Sequence, residues 1–292
     1  MRSQSLTLTE CKRPRSLFLL LVAVQLIYRI PTSRGGAVSV SDRRFHGDDT
    51  GRGRVSAFSR NVLSVLEKIE YRRCDTGEDL EAIYRLRYKS FRKHGLLLSE
   101  TADQRMVDDL DEAPNCHKFG VFMEGELVST IRLHHLKKQT PFAPAMTVFG
   151  NVLQPRLDRG ESFIDPSRLS IDPDLYGVHR VMPHITLRLA FIANIYFKTV
   201  ACIFMIREEH TAFYARNFQA TQIGHPRPYP PFTMPIYLYE TRYDLNMQRT
   251  IDRFPFYFST PMEQRMLFAR PKPGELAPLT VLPTARYLHQ AA

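Results

Sequence analysis

Four charged positions stand out because their neighbours are apolar. Arg87 recurs with Leu80, Ile83 and Phe91 on one face of a helical run. A guanidinium on such a face has to be paired, because an isolated buried charge is costly. Asp108 and Asp111 are its natural partners, and together they predict an ion-pair lattice that ties this helix over a sheet. That structural role can coexist with orienting a ligand. Arg132 lies mid-strand between Ile131 and Leu133. It fits two readings equally: another internal ion pair, or a bidentate clamp on a ligand carboxylate, which suits the planar guanidinium fork. Asp165 and Arg168 are three apart in a strand, so they face opposite sides of a sheet unless a bulge intervenes. Asp165 precedes Pro166, a common setting for a strand-end or turn aspartate; a carboxylate there can also act as a general base.

Other candidate groups point away from metal chemistry. His134 and His135 are adjacent strand residues, whose side chains face opposite ways. Cys11, Cys74, Cys116 and Cys202 are widely spaced, and no pair has metal-ligand spacing. They read as reduced, partly buried thiols of a cytosolic protein.

The elements that position these residues follow from periodicity. Residues 70–74 read as a short strand and 78–92 as a helix, with Thr76 and Asp79 as a capping box and Glu81–Arg85 as a solvent-side pair. Segments 117–123 and 126–134 read as a hairpin around Glu124-Gly125. Residues 137–160 read as a long proline-containing loop, 162–171 as a strand, and 183–198 as a helix apolar nearly all round, hence buried. A central strand (200–206), a short helix (210–218), a strand (235–243), a helix near 262–268 and a loose tail complete the chain. This order is α+β.

The net charge of +10 invites a nucleic-acid reading, but its distribution opposes one. Residues 1–60 carry eleven Lys/Arg and four acids, or +7 of the total. The remainder is nearly balanced, so no nucleic acid is expected as partner. Within residues 1–60 an apolar run, Leu17–Ile27, follows Lys12, Arg13 and Arg15. It resembles a signal peptide and is short for a membrane span. A signal peptide, a membrane-associating segment and a dispensable extension compete; the last is preferred. Residues 33–60 are Gly-, Ser- and Arg-rich and read as disordered. Three parts are expected: an amino-terminal extension (1–60), one folded domain (61–245) and a carboxy-terminal extension (246–292).

Four pieces in order carry a family resemblance: Leu86-Arg87-Tyr88-Lys89-Ser90-Phe91, Asp108-Asp109-Leu110-Asp111, Ser129-Thr130-Ile131-Arg132 and Asp165-Pro166-Ser167-Arg168-Leu169-Ser170-Ile171. They resemble the autoinducer (acyl-homoserine-lactone) synthases and their relatives, the long-chain N-acyl amino acid synthases. A fifth piece, Ala212-Phe213-Tyr214-Ala215-Arg216-Asn217-Phe218, resembles the phenylalanine-tyrosine turn of GNAT enzymes. The resemblance implies a GNAT-like acyltransferase fold, with a mixed sheet splayed at one strand and helices on both faces. It implies an acyl-carrier-protein thioester (or acyl-CoA) as co-substrate, an amine or amino acid as acceptor, no bound cofactor and a cytoplasmic enzyme. Two departures favour the N-acyl amino acid branch. The autoinducer synthases carry a tryptophan where Leu96, Leu97 and Leu98 stand, and this chain has no tryptophan. They also carry glutamate at the position of Asp165. The segment 174–184 holds one glycine, Gly177, so it offers little backbone to a coenzyme A pyrophosphate.

Roles implied by the resemblance are as follows. Asp165, directly or through water, takes the acceptor's ammonium proton, with Glu161 and Asp172 as substitutes. Backbone N–H groups of Leu169, Ser170 and Ile171, freed by a bulge near Arg168, hold the pantetheine arm and polarise the thioester. Arg168 and Tyr214 join Asp165 in the catalytic set, with Tyr214 protonating the leaving thiolate. Arg87, Phe91, Asp108, Asp111 and Arg132 bind substrate. Phe191, Ile195, Phe197, Ile203 and Phe204 either line an acyl tunnel or pack the core. The rival functions are an autoinducer synthase using S-adenosylmethionine, an acetyl-CoA N-acetyltransferase, and a catalytically silent acyl-binding protein.

Overall fold

The computed structural model describes residues 55–97, 100–175, 177–178, 180–229, 234–272, 274–276 and 278–288. The readings of the apolar run Leu17–Ile27, of segment 33–54 and of Leu98 lie outside these residues. Among the described residues no helix is long and apolar enough to cross a membrane.

The chain runs α1 (Ala57–Leu66), β1 (Ile69–Arg73), α2 (Gly77–Lys93), β2 (Cys116–Met123), β3 (Glu126–Leu136), α3 (Pro144–Asp158), β4 (Phe163–Ile171), α4 (Met182–Phe197), β5 (Ala201–Ile206), α5 (Glu208–Phe218), β6 (Thr221–Gln222), β7 (Tyr237–Arg242), α6 (Tyr243–Arg253) and α7 (Pro261–Phe268). Seven strands form one mixed sheet in the order β1-β2-β3-β4-β5-β7-β6. The β2–β3 hairpin turns at Glu124 (φ 53°) and Gly125 (φ 89°), consecutive left-handed residues whose twist matches that of the flanking strands. All neighbours are antiparallel except β4 and β5. Those two pair only at Phe163–Ala201 and Ile164–Cys202, then part. The order of elements predicted the α+β class, and the mixed sheet splayed at one strand is what the family resemblance implied. Helix α4 is buried along most of its length and packs on β3, β4 and β5.

Four expectations need correction. Residues 137–160 are not a loop: α3 fills most of them. Pro144 sits in its first turn, where no N–H is needed. Phe149 has non-helical dihedrals and Pro155 interrupts the second half, so breakers hid a kinked helix. The amino-terminal extension does not reach residue 60, because α1 begins at Ala57 and buries Val62, Leu63 and Leu66. Thr76 stands at the N-cap of α2, but its side chain makes no capping bond. The described part of the carboxy-terminal segment, as far as residue 288, is not loose.

That segment is fastened by a buried clasp. Arg188 of α4 and Glu263 of α7 pair with neither side chain exposed. Arg188 also donates to the carbonyls of Phe256 (2.7 Å) and Phe258 (2.5 Å), while Glu263 accepts from the Thr284 N–H (3.0 Å) and hydroxyl (2.5 Å). Val281 and Tyr71 exchange two backbone bonds, 2.8 and 2.9 Å. Removing one partner of a buried pair leaves an uncompensated charge and costs about 3–5 kcal/mol. Glu263→Ala is therefore expected to lower the unfolding free energy by that much, read as a lower urea midpoint at unchanged slope; an unchanged midpoint would show that the clasp contributes nothing to stability.

Candidate active site

A bulge in β4 decides where the charged side chains go. Arg132 pairs with Ser167 and Thr130 with Ser170, so Arg168 and Leu169 together stand against Ile131. Arg168 takes a left-handed backbone (φ 53°), a conformation that is strained for an arginine and marks the extra residue. The turn carries its side chain to the same cluster as Arg132. Arg168 reaches Asp108 (2.5 Å) and the Met106 sulfur (3.1 Å). Arg132 reaches Asp108 (2.6 Å), Asp111 (3.1 Å) and the Ser167 hydroxyl (3.0 Å). Arg87, on α2, reaches Asp111 (2.8 Å). Asp108 and Asp111 are fixed by capping each other across the short 3-10 turn Asp109–Glu112. Phe91 lies beneath the Arg168 guanidinium, 5.7 Å from ring centre to carbon.

This cluster differs from the Arg188–Glu263 clasp in a way that separates structure from function. It contains three buried guanidiniums and two carboxylates, a surplus of one positive charge. Four of its guanidinium nitrogens, Arg87 Nε and Nη2, Arg132 Nη2 and Arg168 Nε, have no hydrogen-bond partner among the described residues. Every Arg188 nitrogen has one. The charge imbalance shows in the titration. Burial opposes the charge of Arg168, Asp108 only partly offsets this, and Arg132 and Arg87 add repulsion, so its pKa is pushed down to about 10. A guanidinium does not deprotonate in a protein, so this marks an uncompensated positive potential. Burial also works against ionised Asp111, but Arg87 and Arg132 hold its carboxyl well below the usual carboxylate range. A cluster so arranged can accept an anion with a flat, two-oxygen face.

Asp165 stands one strand-pair from that cluster, opposite His134. It is buried, and one oxygen accepts the Ala145 N–H at 2.9 Å, in the first turn of α3. Burial pushes its carboxyl up to about 7, against the pull of that N–H and of Arg132. A carboxyl that changes charge near neutral pH is suited to general-base work. Glu161 is paired with Arg156 (2.7 Å) and Arg159 (3.0 Å), and Asp172 with Lys89 (2.8 Å), so the two substitutes are occupied elsewhere. His134 donates its Nε2–H to the Leu110 carbonyl at 2.9 Å, and its Nδ1 has no partner among the described residues. Burial and Arg132 push its pKa down to about 3, so it stays neutral beside Asp165.

The remaining candidates lie where β4 and β5 part. Ser170 and Ile171 pair with Thr130 and Ser129 on one edge, while the edge toward β5 is unpaired beyond Ile164. Tyr214 of α5 is fully buried, its ring 4.5 Å from that of Phe204 on β5. Its hydroxyl has no hydrogen-bond partner, and burial, with Cys202 nearby, pushes its pKa well up. Of the five tunnel candidates, Phe191 and Phe204 line an apolar cavity of about 30 Å³; Ile195, Phe197 and Ile203 do not. Phe197 stacks on His135 instead, at 4.2 Å.

Sequence reasoning missed His134 as a neighbour of Asp165. It also missed Tyr229, whose hydroxyl responds to Arg168, Asp108, Arg132 and Asp165. Tyr229 sits in a proline-rich loop with no periodicity to mark it. Among the described residues no group of His, Cys, Asp or Glu could hold a metal ion.

Arg87→Ala tests the structural share of the cluster. It removes the shorter of the two ion pairs of Asp111 but leaves the one to Arg132, so the expected cost is that of one charged hydrogen bond, about 1.5–3 kcal/mol, together with lost activity. Thermal melting is the check: a variant as stable as wild type yet inactive would place Arg87 against substrate instead.

Comparison with known proteins gives a consistent picture. The family model for the N-acyl amino acid synthase FeeM matches residues 82–242. The structure of FeeM, an N-acyl amino acid synthase from uncultured soil microbes, superposes with a TM-score of 0.51 at 16% identity, covering 63% of this chain and 96% of that one. The acyl-homoserine lactone synthase LasI gives 0.45 at 12% identity, covering 64% and 94%. The CoA-dependent synthase BjaI, solved with SAM and isopentyl-CoA, gives 0.42 at 16%, covering 60% and 82%. No match was found among curated proteins.

Proposed function

The chain belongs to the family of the N-acyl amino acid synthase FeeM and is an acyltransferase; from that premise we propose that it transfers a fatty acyl chain from a carrier-protein thioester to the amino group of an amino acid. The observation that carries this reading is the surplus arginine in the buried cluster. A free carboxylate supplies the missing negative charge and fills the orphaned guanidinium nitrogens. A plain amine does neither.

The chemistry then divides among named groups. The acceptor arrives as an ammonium, and Asp165 takes one of its protons, directly or through a water. The freed amine attacks the thioester carbonyl carbon, so a C–N bond forms and the C–S bond breaks. Backbone N–H groups on the unpaired edge of Leu169–Ile171 offer hydrogen bonds to the developing oxyanion. The departing thiolate takes the Tyr214 proton, and Tyr214 recovers it from the second N–H that the attacking nitrogen loses as the amide forms. The raised pKa of that hydroxyl keeps it neutral before and after the transfer, so it relays a proton and does not end as a tyrosinate.

A carrier-protein donor is favoured over coenzyme A by the turn before α4. The N–H groups of Val181 and Met182 bond to the Val178 carbonyl, and those of His184 and Ile185 to the Val181 carbonyl; Pro183 has none. Few donors remain for a pyrophosphate, whereas a pantetheine arm needs none there. Leu96 and Leu97 pack on Tyr88, Phe91 and Met106, which favours the amino acid acceptor over the methionine-derived one of the lactone synthases. The test is thiol release from acyl-carrier protein and from acyl-CoA bearing the same chain. Release is expected to require an added amino acid and to be faster from the carrier protein. Release at equal rates without any amino acid would refute the reading.

A further inference from the structure

Helix α6 begins at Tyr243, immediately beyond the residues 82–242 that the family model matches. It follows β7 without a loop, so its position over α4 and β5 is set by the sheet. Its outer face, Asp244, Leu245, Gln248, Arg249 and Asp252, is exposed. Its inner face closes the apolar cavity noted above. Phe191 of α4, Cys202 and Phe204 of β5, and Asn246, Met247 and Thr250 of α6 are among its walls. No charged side chain lines it.

The cavity adjoins the chemistry. Cys202 forms the last β4–β5 pair, with Ile164, before the strands part. Phe204 and Phe218, two of the cavity's walls, lie against the Tyr214 ring, at 4.5 and 6.0 Å between ring centres. A thioester sulfur placed to take the Tyr214 proton therefore lies beside the cavity mouth. An apolar enclosed space there suits the tail of the acyl group, since a polar ligand would lose its hydrogen bonds to water on entering. The volume, about 30 Å³, holds roughly two or three water-sized groups. That is room for the last few carbons of a chain, and a chain ending there would be limited by the side chains that line it.

We propose that α6 gauges the length of the acyl chain the donor site accepts, with Met247 as the stop. This rests on the acyl-transfer reading above. Methionine is unbranched and fills irregular gaps, so its size can be traded directly against chain length. Met247→Ala should lengthen the preferred chain by roughly two or three carbons, and each added methylene that becomes buried should tighten binding about four-fold. Met247→Trp should shorten it.

Two measurements separate the inference from the reading beneath it. The first is thermal stabilisation of wild type, Met247→Ala and Met247→Trp by unreactive S-alkyl pantetheine thioethers of graded length. The second is the product profile when donors of mixed length compete. Opposite shifts for Ala and Trp in the thioether series establish the gauge, even if no transfer to an amine occurs; in that case only the reaction assignment fails. If every folded variant keeps the wild-type length profile, or if no thioether stabilises the wild type, the gauge is refuted. Met247→Val, smaller by one heavy atom, serves if the larger changes impair folding: it should shift the profile the same way as Ala, and an unchanged profile counts against the proposal.

Discussion

Asp165→Asn is expected to lower the rate of acyl transfer about 10²–10⁴-fold near neutral pH, the usual range for loss of a general base. Asparagine keeps an oxygen for the Ala145 N–H but cannot take the ammonium proton. Initial rates of thiol release at saturating amino acid, across a pH series, check this. In the wild type the base must be ionised, so the rate should rise with pH through about 7, the value to which burial pushes this carboxyl, and then level off. The mutant should lack that step. It should recover partly at high pH, where more acceptor is already a free amine. Stability moves the other way. A carboxyl whose pKa is raised on folding favours the fold fully below its unfolded value, near 4, and that contribution is lost as pH rises toward about 7. Asp165→Asn should therefore be no less stable than wild type at pH 8, so a lost rate cannot be ascribed to unfolding. Wild-type rates throughout would make Asp165 only the cap of α3 that its bond to Ala145 already provides.

The second large effect lies on the substrate. An amine that matches a good amino acid acceptor but lacks its carboxylate should be used about 10⁴-fold less efficiently. A site built around buried polar groups rejects an analogue that leaves them unpaired by that order. Here the unpaired groups are the orphaned nitrogens of Arg87, Arg132 and Arg168. Competition between the two acceptors in one reaction gives the ratio of kcat/KM directly. Equal use of both would mean that the surplus arginine serves the fold or the donor, and that the acceptor's carboxylate lies elsewhere. Arg168→Gln should behave consistently: it removes the surplus charge, so it should raise KM for the amino acid while leaving the amine unaffected.

Much of this site was legible from residue type and place. Arg87 on an apolar helix face requires a buried partner, and Asp111 supplies it. The same reasoning was ambiguous for Arg132, because a guanidinium between Ile131 and Leu133 says that a carboxylate is near, not whether it belongs to the protein. The structure supplies two protein carboxylates for three arginines, and only that count leaves room for a ligand. Arg168 was legible only conditionally. Strand periodicity sends it away from Asp165, and a left-handed arginine inside a strand leaves no mark in the sequence. His134 was set aside because neighbouring strand residues face opposite ways. That rule excluded a metal pair with His135 but said nothing of Asp165 across the sheet.

The fold was misread where tertiary contacts override local signals. Pro144, Gly150 and Pro155 read as loop residues, yet α3 tolerates them at its first turn and at a kink. The end of the chain looked loose because its anchor is remote: Glu263 meets Arg188, 75 residues earlier, and neither residue announces the other. Helix α6 escaped notice because only Thr250 is fully buried in it, so its apolar stripe is thin.

The central claim is that the product is an amide between a fatty acyl chain and an amino acid. Mass analysis of the products from purified protein, acylated carrier protein and an equimolar pool of amino acids tests it most directly. The account predicts N-acyl amino acids carrying an intact free carboxylate, formed in step with free carrier-protein thiol. An acyl lactone formed when S-adenosylmethionine is included, or acylated amines formed as readily from acceptors without a carboxylate, would contradict it.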